Sequence, residues 1–310
     1  MSKNIIGVDI GGTSIKLALL DIAGNLLEKW SIGTNISDNG CHIPIEIASS
    51  IKSRVGMRGN AIEDVLGIGI GVPGPVDDCC VKRAVNLGWQ DFPLKKVIEQ
   101  ELNVPVVLLN DANAAALGEF WQGSVEQSKD IVFITIGTGV GGGVIVAGQI
   151  INGYHSSGGE IGHIPVKSEE KRICGCGNVN CLECYGSANG MVKTMNNLAG
   201  KKVVSEAKEV FEMIRDGNAL AQEALSITID YLAAAISGII NTLDPEELVI
   251  GGGVSESGEL FIEPLKKALE EYVFPQIRGS VCVRKASLGN DAGIYGAAYQ
   301  IINSLKMVPI

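Results

Sequence analysis

Positive charge is in short supply in this 310-residue chain: 25 Lys and Arg face 35 Asp and Glu, for a formal net charge of −10. A surface of that sign repels a phosphate backbone, which argues against a nucleic-acid partner. No secretory leader is recognisable, since MSKNIIGVDIGG reaches Asp9 after only a short apolar run and offers no small-residue cleavage site. A membrane span is lacking too. The uncharged stretch between Asp130 and Glu160 is long enough, but it holds nine Gly, and IVFITI and GGGVIVAG read as short β-runs around a loop. The eight Cys are too unevenly spaced for a secreted disulfide framework. The expectation is a cytoplasmic protein without membrane attachment.

What is present is apolar residue, 46% of the chain against 19% charged, enough to fill a core and to exclude a largely disordered chain. NIIGVDI, SIKLALLDI and LLEKWSI read as successive strands joined through a Gly-containing turn. A helical pattern at Pro44–Met57 leads into VLGIGIGV, a buried strand, and Leu94–Leu102 reads as a helix before the strand VPVVLL. A second strand–glycine–strand opening, IVFITI-GTGVGGG-VIVAG, comes about 130 residues after the first and predicts an internal duplication. Long helical patterns follow at Ala219–Leu243 and Leu260–Tyr272, with ELVIGGGVS between them and a last helix from near Asp291. No Pro-rich or Ser-rich tether separates the halves, so the boundary is expected at a helix crossing near Ala112–Trp121, in a two-lobed molecule with an interlobe cleft.

Three glycine loops suit phosphate. In Asp9-Ile10-Gly11-Gly12-Thr13-Ser14-Ile15-Lys16, glycines let backbone N–H groups approach an anion, Thr13 and Ser14 add hydroxyls, and Lys16 adds charge. Asp9 at the strand end could hold Mg²⁺ through water. Gly137-Thr138-Gly139-Val140-Gly141-Gly142-Gly143 repeats the design, and Gly251-Gly252-Gly253 lies between a strand and a helix, where a ribose or adenine edge would fit. None matches the P-loop pattern G-x-x-x-x-G-K-[ST]; together they point to a nucleotide cleft.

Asp111 follows Asn110 where a buried strand meets a helix. Its local reading is a helix N-cap; a carboxylate partly desolvated there would also serve as the general base for an alcohol attacking a γ-phosphate. Further on, His163 precedes Cys174, Cys176 and Cys181, and C-x-C-x₄-C gathers three thiolates on one loop, as tetrahedral Zn²⁺ requires. Either His163 or Cys184 completes the shell. Glu160 and Glu183 flank the cluster, so the metal reads as structural, fixing carboxylates that accept hydrogen bonds from a polyhydroxylated ligand. His42 and His155 read as surface or loop residues.

The ordered set GVDIGGTSIK, GIGVPGPVD, AVNLGW, LNDANAAALGE, TIGTGVGGGVI, GGEIGHI, CGCGNVNCLECYGS, LVIGGGVS and DAGIYGAA resembles the ROK family (repressor, open reading frame, kinase) of bacterial sugar kinases over nearly the whole chain, its glucokinases above all. The resemblance implies an α/β, actin-like ATPase (ribonuclease H-like) fold, with a smaller lobe of residues 1–116 plus about 297–310 and a larger lobe of 117–296. It implies a hexokinase that uses ATP and Mg²⁺ on the 6-hydroxyl of glucose. N-acetylmannosamine or fructose phosphorylation and a catalytically silent sugar sensor stand as alternatives. By the family pattern Asp111 is the general base and Asn110, Glu160, His163 and Glu183 contact sugar hydroxyls. His163, Cys174, Cys176 and Cys181 hold zinc in preference to Cys184. Gly7, Asp9, Gly11, Gly12, Thr13, Ser14, Lys16, Gly137, Thr138, Gly139, Gly141, Gly142, Gly252 and Gly253 border ATP, and a homodimer is expected. Two departures stand out: Asn180 where Gly commonly precedes the third Cys, and Tyr-Gly-Ser after Cys184 where Tyr-Ala-Ser is common. The winged-helix DNA-binding domain of family repressors is not expected, because Asp9 stands nine residues from the start.

Overall fold

The computed structural model describes residues 3–59, 61–125 and 128–306. The chain divides into two units of nearly equal length: Met1–Val125 with Asn152–Gly158 and Asn290–Ile310, and Glu126–Ile151 with Gly159–Gly289.

In the first unit, β1 (Asn4–Ile10), β2 (Ser14–Asp21) and β3 (Leu26–Gly33) run antiparallel, and β4 (Val65–Val72) lies parallel to β1. A separate ribbon pairs β5 (Val81–Ala84) with β6 (Trp89–Phe92), and β7 (Val106–Asn110) closes the main sheet parallel to β4, in the order β3-β2-β1-β4-β7. β1 and β4 are apolar almost throughout because both faces of the sheet are covered. On one face lie Ile43, Ile47, Ile51 and Val55 of the helix Ile43–Met57 and Ile98 and Leu102 of the helix Leu94–Leu102. On the other, Ile294, Ala298 and Ile301 of the helix Ala292–Lys306 pack on Ile5, Ala18 and Leu20.

That second face needs glycine. Gly7 and Gly69 are register partners on β1 and β4. A Cβ on Gly7 would lie 2.0 Å from the Ile294 carbonyl oxygen and one on Gly69 1.7 Å from that of Ala297, so the helix backbone rests directly on the strands.

The second unit repeats the plan. β8 (Ile131–Ile136), β9 (Val140–Val146) and β10 (Gln149–Ile150) are antiparallel, while β11 (Glu247–Gly251) and β12 (Cys282–Lys285) extend the sheet parallel to β8, in the order β10-β9-β8-β11-β12. Strand for strand this is the first sheet again, so the duplication predicted from two glycine-turn openings extends to all five strands. The uncharged Asp130–Glu160 stretch supplies three of those strands. The helix Ala219–Leu243 is the one described helix long and apolar enough to cross a membrane; Leu225, Ile229, Leu232, Ile236 and Ile240 along it belong to the core of this unit.

The division between units differs from the expected one at residue 116. The helix Asp111–Gln122 lies wholly in the first unit because it packs closely on the last helix, where a Cβ on Gly296 would sit 1.7 Å from the Ala114 carbonyl oxygen. The last helix belongs to the first unit from its start, not from about residue 297, and neither unit is clearly the smaller.

Candidate active site

The parallel register of the first sheet sets Asp9 beside Gly71, Gly71 beside Leu109, and Val72 beside Asn110. The carboxyl ends of β1, β4 and β7 therefore finish together, and Asp9, the Gly11–Thr13 turn and Asn110–Asp111 share one end of the sheet. That end is where open α/β sheets bind ligands.

Gly11 N–H donates to the Ser14 carbonyl (3.0 Å), and Thr34 ties the turn through its Oγ1 to the Gly11 carbonyl (2.7 Å), leaving Gly12 and Thr13 exposed. Burial raises the Asp9 pKa above the usual carboxylate value, and Lys16 pulls it partly back. Lys16 Nζ lies 3.5 Å from Asp9 Oδ2 and donates to the Asn290 carbonyl (2.8 Å). Gly293, a residue the sequence did not single out, makes room for this carboxyl, since a Cβ there would lie 2.9 Å from Asp9 Cγ. At Gly7 the Ile294 carbonyl stands where a side chain would be, so glycine is required there by helix–sheet packing.

Asn110, not Asp111, is the N-cap. Its side chain accepts from Ala112 N (2.9 Å) and Asn113 N (3.2 Å), and its Nδ2 donates to the Gly74 carbonyl (3.2 Å). Asp111 is the first helical residue, its Oδ1 accepting from Ala112 N (2.8 Å). It is exposed, so the partial desolvation expected for it is not found. Three residues after Gly74, Asp77 closes the next turn, accepting from the N–H groups of Cys79 and Cys80 and pairing with Lys82 at 2.7 Å. Asn113, another residue the sequence reading missed, is buried, donates to Asn152 Oδ1 (3.3 Å), and keeps the Asn152–Gly158 segment against this helix.

In the second unit, Gly137 and Gly139 flank exposed Thr138, and Gly137 N–H donates to the Gly139 carbonyl (3.0 Å). Gly141 and Gly142 lie within β9, paired with Thr135 and Ile134. Gly142 is buried, and a Cβ would lie 2.3 Å from Ile161 Cδ1, so packing requires glycine here. Gly252 adopts φ +82° and would bring a Cβ to 2.4 Å from the Ile136 carbonyl, which fixes glycine at this crossing. A cavity of about 580 Å³ brings the second and third loops together, with Gly137 and Thr138 on one side, Gly253 and Val254 on the other, and Phe211 and Arg215 contributed by the helix Ala207–Arg215. The helix contribution was not legible in the sequence.

His163, Cys174, Cys176 and Cys181 place one donor atom each within 4.8 Å of the others. His163 Nδ1 lies 3.6 Å from Cys174 Sγ, and Cys176 Sγ 3.6 Å from Cys181 Sγ. A tetrahedral zinc site with 2.3 Å Zn–S bonds needs sulfurs about 3.8 Å apart, so the donor set fits that ion. Cys184 stands outside the group; its carbonyl accepts from Arg172 (2.8 Å). Burial raises the Cys174 and Cys181 thiols, while the Asn178 N–H lowers Cys176. His163 Nε2 lies 3.8 Å from Glu160 Oε2, which divides the ring between the cysteines and the exposed Glu160.

The loop is braced from below. Buried Arg172 donates to Cys184 O, Gly190 O, Glu170 and Thr194 and stacks over the Tyr185 ring at 4.4 Å. Asn180 takes φ +60°, a conformation natural to Gly and next most accessible to Asn, and accepts from Arg172 N and Tyr185 Oη. Gly186 is matched to Leu232, whose Cδ2 would be 2.8 Å from an added Cβ. Both sequence departures thus have local structural partners.

The ROK family model matches residues 5–303. The chain belongs to the ROK family. A glucokinase of Halalkalibacterium halodurans is 41% identical over 310 residues, covering 96% of this chain and 94% of that one. The crystal structure of a ROK hexokinase from Thermus thermophilus has a TM-score of 0.87 at 30% identity, covering 98% and 99%. A ROK glucokinase from Streptomyces griseus, solved with glucose and AMPPNP, has a TM-score of 0.76 at 33% identity, covering 96% and 98%. The fold is accordingly the actin-like ATPase fold of ROK proteins, and the paired five-stranded sheets are its two halves.

Proposed function

We propose that this ROK protein is an ATP-dependent hexokinase that transfers the γ-phosphoryl group to the 6-hydroxyl of glucose, giving glucose 6-phosphate and ADP. Family membership and 41% identity to a glucokinase support a sugar kinase acting on a hexose. The observation that carries the reading is the shared end of β1, β4 and β7, which presents the Gly11–Thr13 turn, Asp9 and Asp111 together.

Phosphoryl transfer asks the protein chiefly for positioning and charge neutralisation. Backbone amides and hydroxyls of Gly11–Ser14 and Gly137–Gly139 cradle the phosphates, and Gly252–Gly253 with Phe211 border the adenosine. Asp9 would hold Mg²⁺ through water, an ion that neutralises phosphate charge when bound. Asp111 accepts the proton of the attacking hydroxyl. Asn110, Glu160, His163 Nε2 and Glu183 hydrogen-bond the remaining hydroxyls. His163 Nδ1 and the thiolates of Cys174, Cys176 and Cys181 hold a structural Zn²⁺ that stiffens the loop carrying Glu183. Such thiolates persist in a reducing compartment, which supports a cytoplasmic location.

The test is ADP release from MgATP by the full chain across a hexose panel, with the phosphate position read by ³¹P NMR. Glucose is expected to turn over fastest and to carry phosphate on O6. Turnover of N-acetylmannosamine or fructose without glucose would reassign the acceptor. Hexose binding with no ADP release would make the protein a sensor.

A further inference from the structure

We propose that Glu183 is a positioning residue with two competing partners, the Gly137–Gly139 loop and the hexose, and that this competition makes hexose binding tighten nucleotide binding. The inference rests on the reading above that this loop takes the donor's phosphates and Glu183 the sugar's hydroxyls.

Val140 N–H, directly after the loop, donates to Glu183 Oε2 at 3.2 Å. The same oxygen fills the space beside Gly139 in which a side chain would stand, 2.2 Å from the position of a Cβ. A carboxylate therefore lies against the backbone of a glycine loop whose chemistry suits a phosphate oxygen. Its second oxygen, Oε1, lies 3.7 Å from Cys174 Sγ. Carboxylate and phosphate are both anions and both accept from amides, so they exclude one another at this position by occupancy and by charge.

Hexose hydroxyls are donors that carry no negative charge. When they engage Glu183, the Val140 N–H is released and the negative charge beside Gly139 is shared with the sugar. The backbone of Glu183 does not need to move for this. It begins the helical turn Glu183–Gly186, anchored by Tyr185 N–H to the Leu182 carbonyl (3.0 Å) and Cys184 N–H to the Cys181 carbonyl (3.0 Å). Side-chain rotation alone exchanges the partners. The consequence is preferred order, hexose before nucleotide. Linkage requires that nucleotide tighten hexose by the same factor.

The test is titration of AMPPNP with Mg²⁺ into the full chain by calorimetry, with and without saturating glucose, for the wild type, Glu183→Ala and Glu183→Gln. For the wild type, glucose is expected to lower the AMPPNP Kd roughly 5- to 150-fold. Glu183→Ala should bind AMPPNP without glucose nearly as tightly as the wild type does with it. Glu183→Gln, which keeps the shape and removes the charge, should fall between the two and serves alone if the alanine variant does not fold. Variants that bind AMPPNP no more tightly than the wild type in the absence of glucose would overturn the competition while leaving the donor site standing. A wild type that binds no AMPPNP in either condition would overturn the donor-site reading and this inference with it.

Discussion

Asp111 is exposed at the first position of its helix, so the base proposed here would act through placement, not through a dry environment. Asp111→Ala should lower kcat about 10²–10⁴-fold with glucose affinity largely kept, a split read by steady-state kinetics alongside glucose titration. Asp9 is the opposite case. Its pKa is raised by burial, so the folded state binds the proton more tightly than the unfolded chain, whose value is near 3.8. The sign follows: burying the charge costs stability above the folded-state pKa, and that cost is relieved as pH falls through it toward the unfolded value. Asp9→Asn should therefore melt higher than the wild type at pH 7, lose that margin as the pH approaches 4, and lose Mg²⁺-dependent turnover. Equal melting shifts at both pH values would refute the burial argument. At this scale the sequence was informative about residue type and less so about environment. It put Asp9 near a strand end and Asn110–Asp111 where a strand meets a helix, as the structure has them, but exposure depends on neighbours contributed by distant segments.

Among elements, the last helix lies on β1 and β4 with no side chain between them at Gly7 and Gly69. Gly69→Ala should destabilise by about 1–3 kcal/mol, the usual cost of overpacking, and the 1.7 Å approach to a backbone oxygen puts it at or above the upper end; denaturant unfolding measures it. The cysteine loop makes a separate prediction. Chelation, or Cys176→Ser, should remove one zinc equivalent by metal analysis and raise the glucose KM more than it lowers kcat, because on the proposed reading this loop carries sugar contacts and not the base. The ligand spacing was visible in the sequence because C-x-C-x₄-C is local. That Cys184 stands aside was implied only by the family resemblance and not by the local spacing, because Arg172 engages its carbonyl and orients this turn.

For the whole molecule, each half closes its own sheet over its own core, and the two sheets have one strand order. Glucose at about 100 times its Kd should raise the unfolding free energy by about 2.7 kcal/mol, seen as a higher melting temperature, whereas a hexose that does not bind should leave it unchanged. The repeated architecture was legible from two strand–glycine–strand openings, since a hairpin is encoded within some twenty residues. Its extension to β4, β7, β11 and β12 was not, because parallel neighbours are joined by long crossovers.

The amino-acid sequence by itself determined the two hairpin openings, the buried strands β4, β7 and β11, the glycine turns and the thiolate spacing, all of which depend on residues close together in the chain, and the ordered motifs that carry the ROK resemblance. Tertiary structure alone decided what each glycine is for. Gly7 faces Ile294, Gly142 faces Ile161 and Gly139 faces the Glu183 carboxylate. A glycine's role is set by whatever occupies the place of its missing side chain, and that neighbour comes from another part of the fold.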